Sequence, residues 1–391
     1  MSQVGSIVFP DDNARIEIPF EMHGSFIILP VMFQKIYPLR FIFDTGAETS
    51  ILLRKEISDM LGVVYERDIM IYGSDLKTPL NAKIARKVFM DLPHLTLVKD
   101  ILVLEEDYFR FDASTGIDIH GILGSDAFKG HVVKINYTQQ IITVYAKNAF
   151  KIPRESEFQS VPIKMIRNKP YLKVHLTLQN DSIVPVNLLL DTGASLTMLL
   201  YSGSTPGLTI PQTALKGSIG RGLGGILEGY IGRVKKVEMG NFPLNNVVSR
   251  FQVLPADTDS LQTNGRQGIM GGEILARFNL IFDYIHQKMY IQPNKNYKME
   301  FLYDRSGMSL LASGRWLNEF IVQEVLPHSP AANEDIRTGD QIVKIGIWNT
   351  HFYRLHQLVN KFQGKVGKEI KLTILRDGKR LKKKIILQEL I

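Results

Sequence analysis

Apolar and polar residues alternate along most of this chain in short runs with a period of two. The first half offers "ARIEIPF", "SFIILPVMF", "LRFIF", "HLTLVKDILVL", "VVKIN" and "IITVY". The second offers "YLKVHLTL", "VNLLL", "RVKKVEM", "NVVSRFQVL", "FNLIFDY" and "KMYIQ". Such alternation turns one face of each run toward a core, and the turn residues between runs keep them short, so the chain reads as mainly β. Helical spacing is scarce. "LRKEISDMLG" and "GEILARF" are the candidates before residue 295, and "LHQLVNKFQ" follows near the end.

The runs repeat. "FIFDTGAETSILL" (Phe41 to Leu53) has a twin in "LLLDTGASLTMLL" (Leu188 to Leu200), which sets Asp44 and Asp191 147 positions apart. Eighty residues after each Asp comes an apolar-apolar-Gly triplet, Ile122-Leu123-Gly124 and Ile269-Met270-Gly271. At the same offset "INYTQQIITVY" meets "FDYIHQKMYIQ". Three matches at one spacing imply a tandem duplication of one fold unit. The expected division is 1–150, 151–297 and a separate C-terminal unit over 300–391. The first boundary falls in "KIPRESEFQSVP", Lys151 to Pro162.

Each twin stretch sets a carboxylate between apolar runs, where an unpaired charge costs several kcal/mol or stays protonated. Two like units facing across a pseudo-twofold axis would bring Asp44 and Asp191 together. Such a pair shares one proton, so one member can accept a proton from water while the other polarises a carbonyl. Gly46 and Gly193 permit a tight turn whose N–H groups aim at the carboxylates. The hydroxyls of Thr45 and Thr192 are placed to brace one loop against the other.

Asp44-Thr45-Gly46-Ala47 and Asp191-Thr192-Gly193-Ala194, with their apolar-apolar-Gly triplets, resemble the aspartic proteases over roughly residues 15 to 295. Ala after the Gly resembles the retropepsin type, yet both motifs share one chain in the pepsin manner, which implies a monomer. The resemblance implies two acid-protease-like β-barrel lobes related by a pseudo-twofold, with Asp44 and Asp191 catalytic. It also implies substrate-covering hairpins. One is expected at Tyr72-Gly73, with a loop free of ligand contact as the alternative. The other is expected around Gly222 and Gly224. There, Gly220, Gly222 and Gly225 have dinucleotide-loop spacing but lack the strand-then-helix setting that reading requires. Glu48 and Ser195, which follow Ala47 and Ala194, stand where retropepsins touch substrate backbone. A surface Glu is the alternative for the former.

"FIVQEVLPHSPAANEDIRTGDQIVKIGIW" and the residues after it resemble a PDZ domain of the bacterial sort, an α+β unit. That implies binding of a C-terminal peptide by strand addition. The carboxylate loop is expected at "ASGRWLN", with Trp316, Leu317 and Phe320 as peptide-binding residues. Asp377-Gly378 predicts a hairpin turn.

Composition adds exclusions. No cysteine means no disulfide, thiolate metal site or thiol nucleophile, and the nine His form no close ligand pair, so neither metal nor cofactor is expected. A net charge of +8 without aromatic interleaving on the basic run "RDGKRLKKKIIL" does not point to nucleic acid. No run of 18 apolar residues predicts a membrane span, and the N-terminus shows no signal peptide. The expected compartment is the cell envelope, periplasm or exterior if an upstream signal was removed, and the cytoplasm otherwise. The expected function is aspartic endopeptidase activity at weakly acidic pH on a peptide or protein substrate, the PDZ binding peptide tails or regulating access. The alternative is a catalytically silent scaffold acting through its PDZ.

Overall fold

The computed structural model describes residues 7, 9, 11, 14–106, 111–255 and 263–391. The duplication appears as two sheets with one strand order. The first runs Glu21–His23, Phe26–Phe33, Tyr37–Asp44, Gly121–Gly124, Ile51–Leu52, Leu95–Leu104, Pro79–Leu92, Tyr65–Tyr72. It curls shut because Phe26–Phe33 also pairs with Pro79–Leu92. The second runs Lys164–Ile166, Lys169–Thr177, Ile183–Asp191, Gly268–Gly271, Met198–Ser202, Phe242–Val253, Gly225–Met239, Leu215–Gly222, closed by Lys169–Thr177 on Gly225–Met239. Curling buries inward residues such as Phe41, Phe43, Leu188 and Leu190 almost completely. Each contributes roughly 1.5–3 kcal/mol of transfer free energy.

A third sheet joins the lobes, in the order Arg15–Pro19, Ile141–Tyr145, Val132–Asn136, Phe278–Asp283, Lys288–Pro293, Gln159–Pro162. Three strands come from each half, and the halves meet where Val132–Asn136 pairs antiparallel with Phe278–Asp283. That register sets Lys134 opposite Ile281, its own counterpart at the 147-residue offset, so the pseudo-twofold axis passes between them. One hydrophobic core runs through both lobes.

The C-terminal unit has its own core, with Leu310, Phe320, Ile342, Leu358 and Ile374 at its centre. Its sheet runs Met308–Ser313, Glu319–Val325, Gln341–Ile345, Glu369–Arg376, Lys379–Ile386. The expected helices form at Lys55–Met60, Gly272–Leu275 and Leu355–Phe362. A further short one, Pro330–Asn333, is capped by the Ser329 hydroxyl on Ala332 N. Asp377 and Gly378, at φ 50° and 74°, form the two-residue turn between paired Arg376 and Lys379.

Candidate active site

Asp44 and Asp191 end equivalent strands, each lying parallel to a short Gly-bounded strand: Asp44 is opposite Gly124, and Asp191 opposite Gly271. Those glycines let the loops fold back closely. A Cβ on Gly124 would come 3.0 Å from Ala47 O, and one on Gly271 2.8 Å from Ala194 O.

The threonines lock the loops together reciprocally. Thr45 N donates to Thr192 Oγ1 and Thr192 N to Thr45 Oγ1, both at 3.1 Å. Each hydroxyl donates onward across the interface, Thr45 to Leu190 O at 2.7 Å and Thr192 to Phe43 O at 2.8 Å. Both side chains are fully buried, so these four bonds have no competition from water.

The carboxyls are cradled by backbone. Asp44 Oδ1 accepts from Gly46 N (2.7 Å) and Ala47 N (3.0 Å), and Asp191 Oδ1 accepts from Gly193 N (2.8 Å). Each also lies over the other loop's glycine. A Cβ on Gly46 would sit 2.5 Å from Asp191 Cγ, and one on Gly193 would strike the Asp44 carboxyl. Although both keep some exposure at the cleft floor, dense packing elsewhere makes desolvation the main influence on each. Burial raises Asp44, while the hydrogen bonds from Asp191, Gly46 and Ala47 oppose the rise. Asp191 is raised well above the ordinary carboxylate range, first by burial and then by the charge of Asp44. The extra N–H donor favours the ionised form at Asp44 more than at Asp191.

Sequence reasoning missed the cations nearby. The pairing of Lys169–Thr177 with Ile183–Asp191, continued by two residues, carries Lys169 opposite Asp191. Its ammonium is depressed by burial and acts electrostatically on both aspartates and on Glu48. Arg266, buried and bonded to Tyr201 Oη at 3.2 Å, lowers Asp191 in turn. Behind the first loop, Ser50 Oγ accepts from Gly124 N (3.1 Å) and Lys99 Nζ (3.0 Å) and donates to Asp126 Oδ1 (3.2 Å); Lys99 and Asp126 are ion-paired. The 147-residue offset sets Thr197 and Glu273 in place of Ser50 and Asp126 but Asn246 in place of Lys99, so the second lobe lacks this network's cation. No one-dimensional pattern marks these residues, because each acts through neighbours distant in sequence.

The two Gly-bearing hairpins meet each other near their tips. Ser74 N donates to Leu223 O, and Thr78 Oγ1 to Gly224 O at 3.3 Å. A Cβ on Gly73 would come 2.6 Å from Gly224 Cα, and one on Gly222 2.7 Å from Ser74 Cβ. The strands flanking Leu223-Gly224 pair as Gly222 with Gly225, with a bulge between Ser218 and Gly220, so the Gly-x-Gly-x-x-Gly spacing builds a β-hairpin. Tyr72, beside this junction, is 56% exposed. Glu48 is exposed near Lys169. Ser195 takes a 3.1 Å hydrogen bond from Ser25 of the other lobe and so stands at the joint between lobes.

The PDZ expectation needs correcting. Strand Glu319–Val325 pairs with Met308–Ser313 along its length and with Gln341–Ile345 at Phe320 and Ile321, so around Phe320 it has no edge to accept an added strand. Phe320 is fully buried in the PDZ core, and Trp316 and Leu317 lie on the hairpin turn before it, Trp316 76% exposed. The edges of the sheet are Met308–Ser313, one strand earlier, and Lys379–Ile386 at the far end.

Among the described residues no group of three or more His, Asp or Glu is arranged to hold a metal, and no helix is long and apolar enough to cross a membrane. Residues 174–274 match the family described as Aspartyl protease, and residues 290–387 the family described as PDZ domain. No curated protein matches the chain. The first match covers Asp191 and its loop; the first lobe, outside it, carries the same strand order and the same loop. The chain thus carries an aspartyl protease domain, built with a second like lobe, followed by a PDZ domain.

Proposed function

We propose that the protein is an aspartic endopeptidase that cleaves an extended peptide lying between the lobes, beneath the hairpin tips. The observation that carries this reading is the arrangement of two carboxyls over each other's loop glycine, on loops locked by four reciprocal threonine bonds. Positioned groups of this kind supply base and acid without metal or covalent intermediate.

Asp44, ionised, takes a proton from a water whose oxygen attacks the scissile carbonyl carbon. Asp191, protonated, gives its proton to the carbonyl oxygen. The resulting tetrahedral diol collapses as the amide nitrogen receives the proton held by Asp44 and the C–N bond breaks. A diol proton returns to the pair, which again holds one. Activity requires that single shared proton, so rate against pH is bell-shaped, with limbs belonging to the pair. Burial raises both groups, and the loops offer Ala47 and Ala194 where a hydroxyl would otherwise stabilise the ionised form, so the optimum falls in the weakly acidic range.

The test is digestion of a mixed peptide library between pH 4 and 7 by the full chain and by Asp191→Asn. Loss of all cleavage in the variant, with an unchanged circular dichroism spectrum, is the expected result. Undiminished cleavage by Asp191→Asn would overturn the proposal.

A further inference from the structure

The PDZ unit presents a sheet edge to which no strand is paired among the described residues. Met308–Ser313 pairs only with Glu319–Val325, and helix Leu355–Phe362 packs beside it. A peptide joining the sheet would lie in this slot, its terminal carboxylate received by backbone N–H groups of the loop entering the strand.

Both parts of the slot are already filled. In the entering loop, the Asp304 carboxylate accepts from Ser306 N (2.9 Å), Gly307 N (2.6 Å) and Ser306 Oγ (2.8 Å). Ser306 Oγ accepts from Met308 N in turn (3.3 Å). The donors that would hold a ligand's carboxylate are thus spent on the chain's own, and a second negative charge there would face Asp304. Along the slot, helix Phe111–Thr115 of the first lobe packs against Met308–Ser313, with Cα atoms within 8 Å. Gly116, at φ 71°, follows so closely that a Cβ on it would fall 2.7 Å from Leu355 Cβ. Beside them the rings of His23 and His356 meet edge to face at 6.0 Å, and Arg354 Nη1 lies 3.5 Å from His23 Nε2.

We infer that this PDZ domain receives an internal chain segment rather than a free C terminus, and that its occupant is the first lobe's own Phe111–Gly116. The domain is then a clamp within the molecule. Its slot grips the first lobe, while its Glu324 accepts a hydrogen bond from Ser218 N (3.3 Å) on the second-lobe hairpin strand Leu215–Gly222.

The test uses the full chain with Asp191→Asn, so that no peptide is cleaved and the outcome does not depend on the proposed catalysis. The probes are N-terminally labelled decapeptide pools with apolar ends, one with free carboxyl termini and one amidated. Gly116→Asn adds bulk against Leu355 while keeping a residue that tolerates positive φ. The Asp191→Asn chain should bind both pools equally and at one site only, between the lobes. Adding Gly116→Asn should open a second site that takes both pools equally, and adding Asp304→Ala should create at that second site a preference of at least tenfold for free carboxyl ends. Amide exchange at the unpaired edge of Met308–Ser313 should accelerate at least tenfold with Gly116→Asn while Phe278–Asp283 stays unchanged. If that variant fails to fold, Arg354→Ala with His356→Ala replaces it in the same exchange measurement. Preference for free carboxyl ends while Asp304 is intact, or unchanged exchange at the edge in the folded variant, overturns the inference.

Discussion

Replacing Thr45 by Val removes one hydroxyl, keeps the side-chain shape, and tests the joint between the lobes directly. The hydroxyl donates to Leu190 O at 2.7 Å and accepts from Thr192 N at 3.1 Å, at a position with no exposed surface. Valine strands one carbonyl and one N–H in a dry interface, and each unsatisfied group costs about 1–3 kcal/mol. The expected loss is on the order of 2–6 kcal/mol. Thr192→Val should cost about the same, by the pseudo-symmetry of the four bonds. The double variant should cost less than the sum, because both substitutions break one network. Both tryptophans, Trp316 and Trp348, lie exposed in the PDZ unit and report poorly on this joint, so far-UV circular dichroism in a urea series is the suitable assay. Activity should fall more steeply than stability, since the same bonds fix the two carboxyls. A loss below about 0.5 kcal/mol for either single variant, or strict additivity of the two, would refute the reasoning.

Four further outcomes are expected. Gly193→Ala should fold but lose cleavage at least about a hundredfold, because the added Cβ displaces the Asp44 carboxyl and small misplacements at a reacting centre are costly; the measurement is kcat/KM on a cleaved library peptide. Lys169→Met removes a cation that favours ionised Asp44, so the pair holds its proton more tightly and the acidic limb of the rate profile should move to higher pH. Lys99→Met leaves Asp126 without its partner at a site where Lys99 is only 11% exposed, and should lower stability by about 3 kcal/mol in urea titration. Asp304, its pKa raised to about 6 chiefly by burial, contributes stability below its unfolded value that is lost as pH rises through 6; Asp304→Asn should flatten the dependence of PDZ unfolding on pH between about 4 and 7.

Periodicity and repetition made much of this legible in advance. The 147-residue offset reappears as a common strand order, and Asp44 and Asp191 meet because a duplicated unit brings equivalent loops to its axis. Asp377-Gly378 specified its turn, since few residue pairs accept two positive φ angles in succession. Other features lay beyond a linear reading. Which PDZ strand forms the edge depends on sheet order, and the expectation fell on Phe320, whose apolar character fits a core as well as a groove. Lys169 and Arg266 influence the carboxyls through register and burial that no motif encodes. Helix Phe111–Thr115 escaped notice because five residues carry too little periodicity to announce a helix.

The register at the central sheet also bears on which halves can associate. Lys134, whose ammonium lies 6.0 Å from the ring centre of Phe158, stands opposite Ile281 where the two lobes join. Were a first lobe to pair in this register with the first lobe of a second molecule, two copies of Lys134 would face each other across the strands, a like-charge pair that disfavours the sheet. A lysine in the first lobe where the second has Ile281 thus penalises pairing of first lobes between molecules.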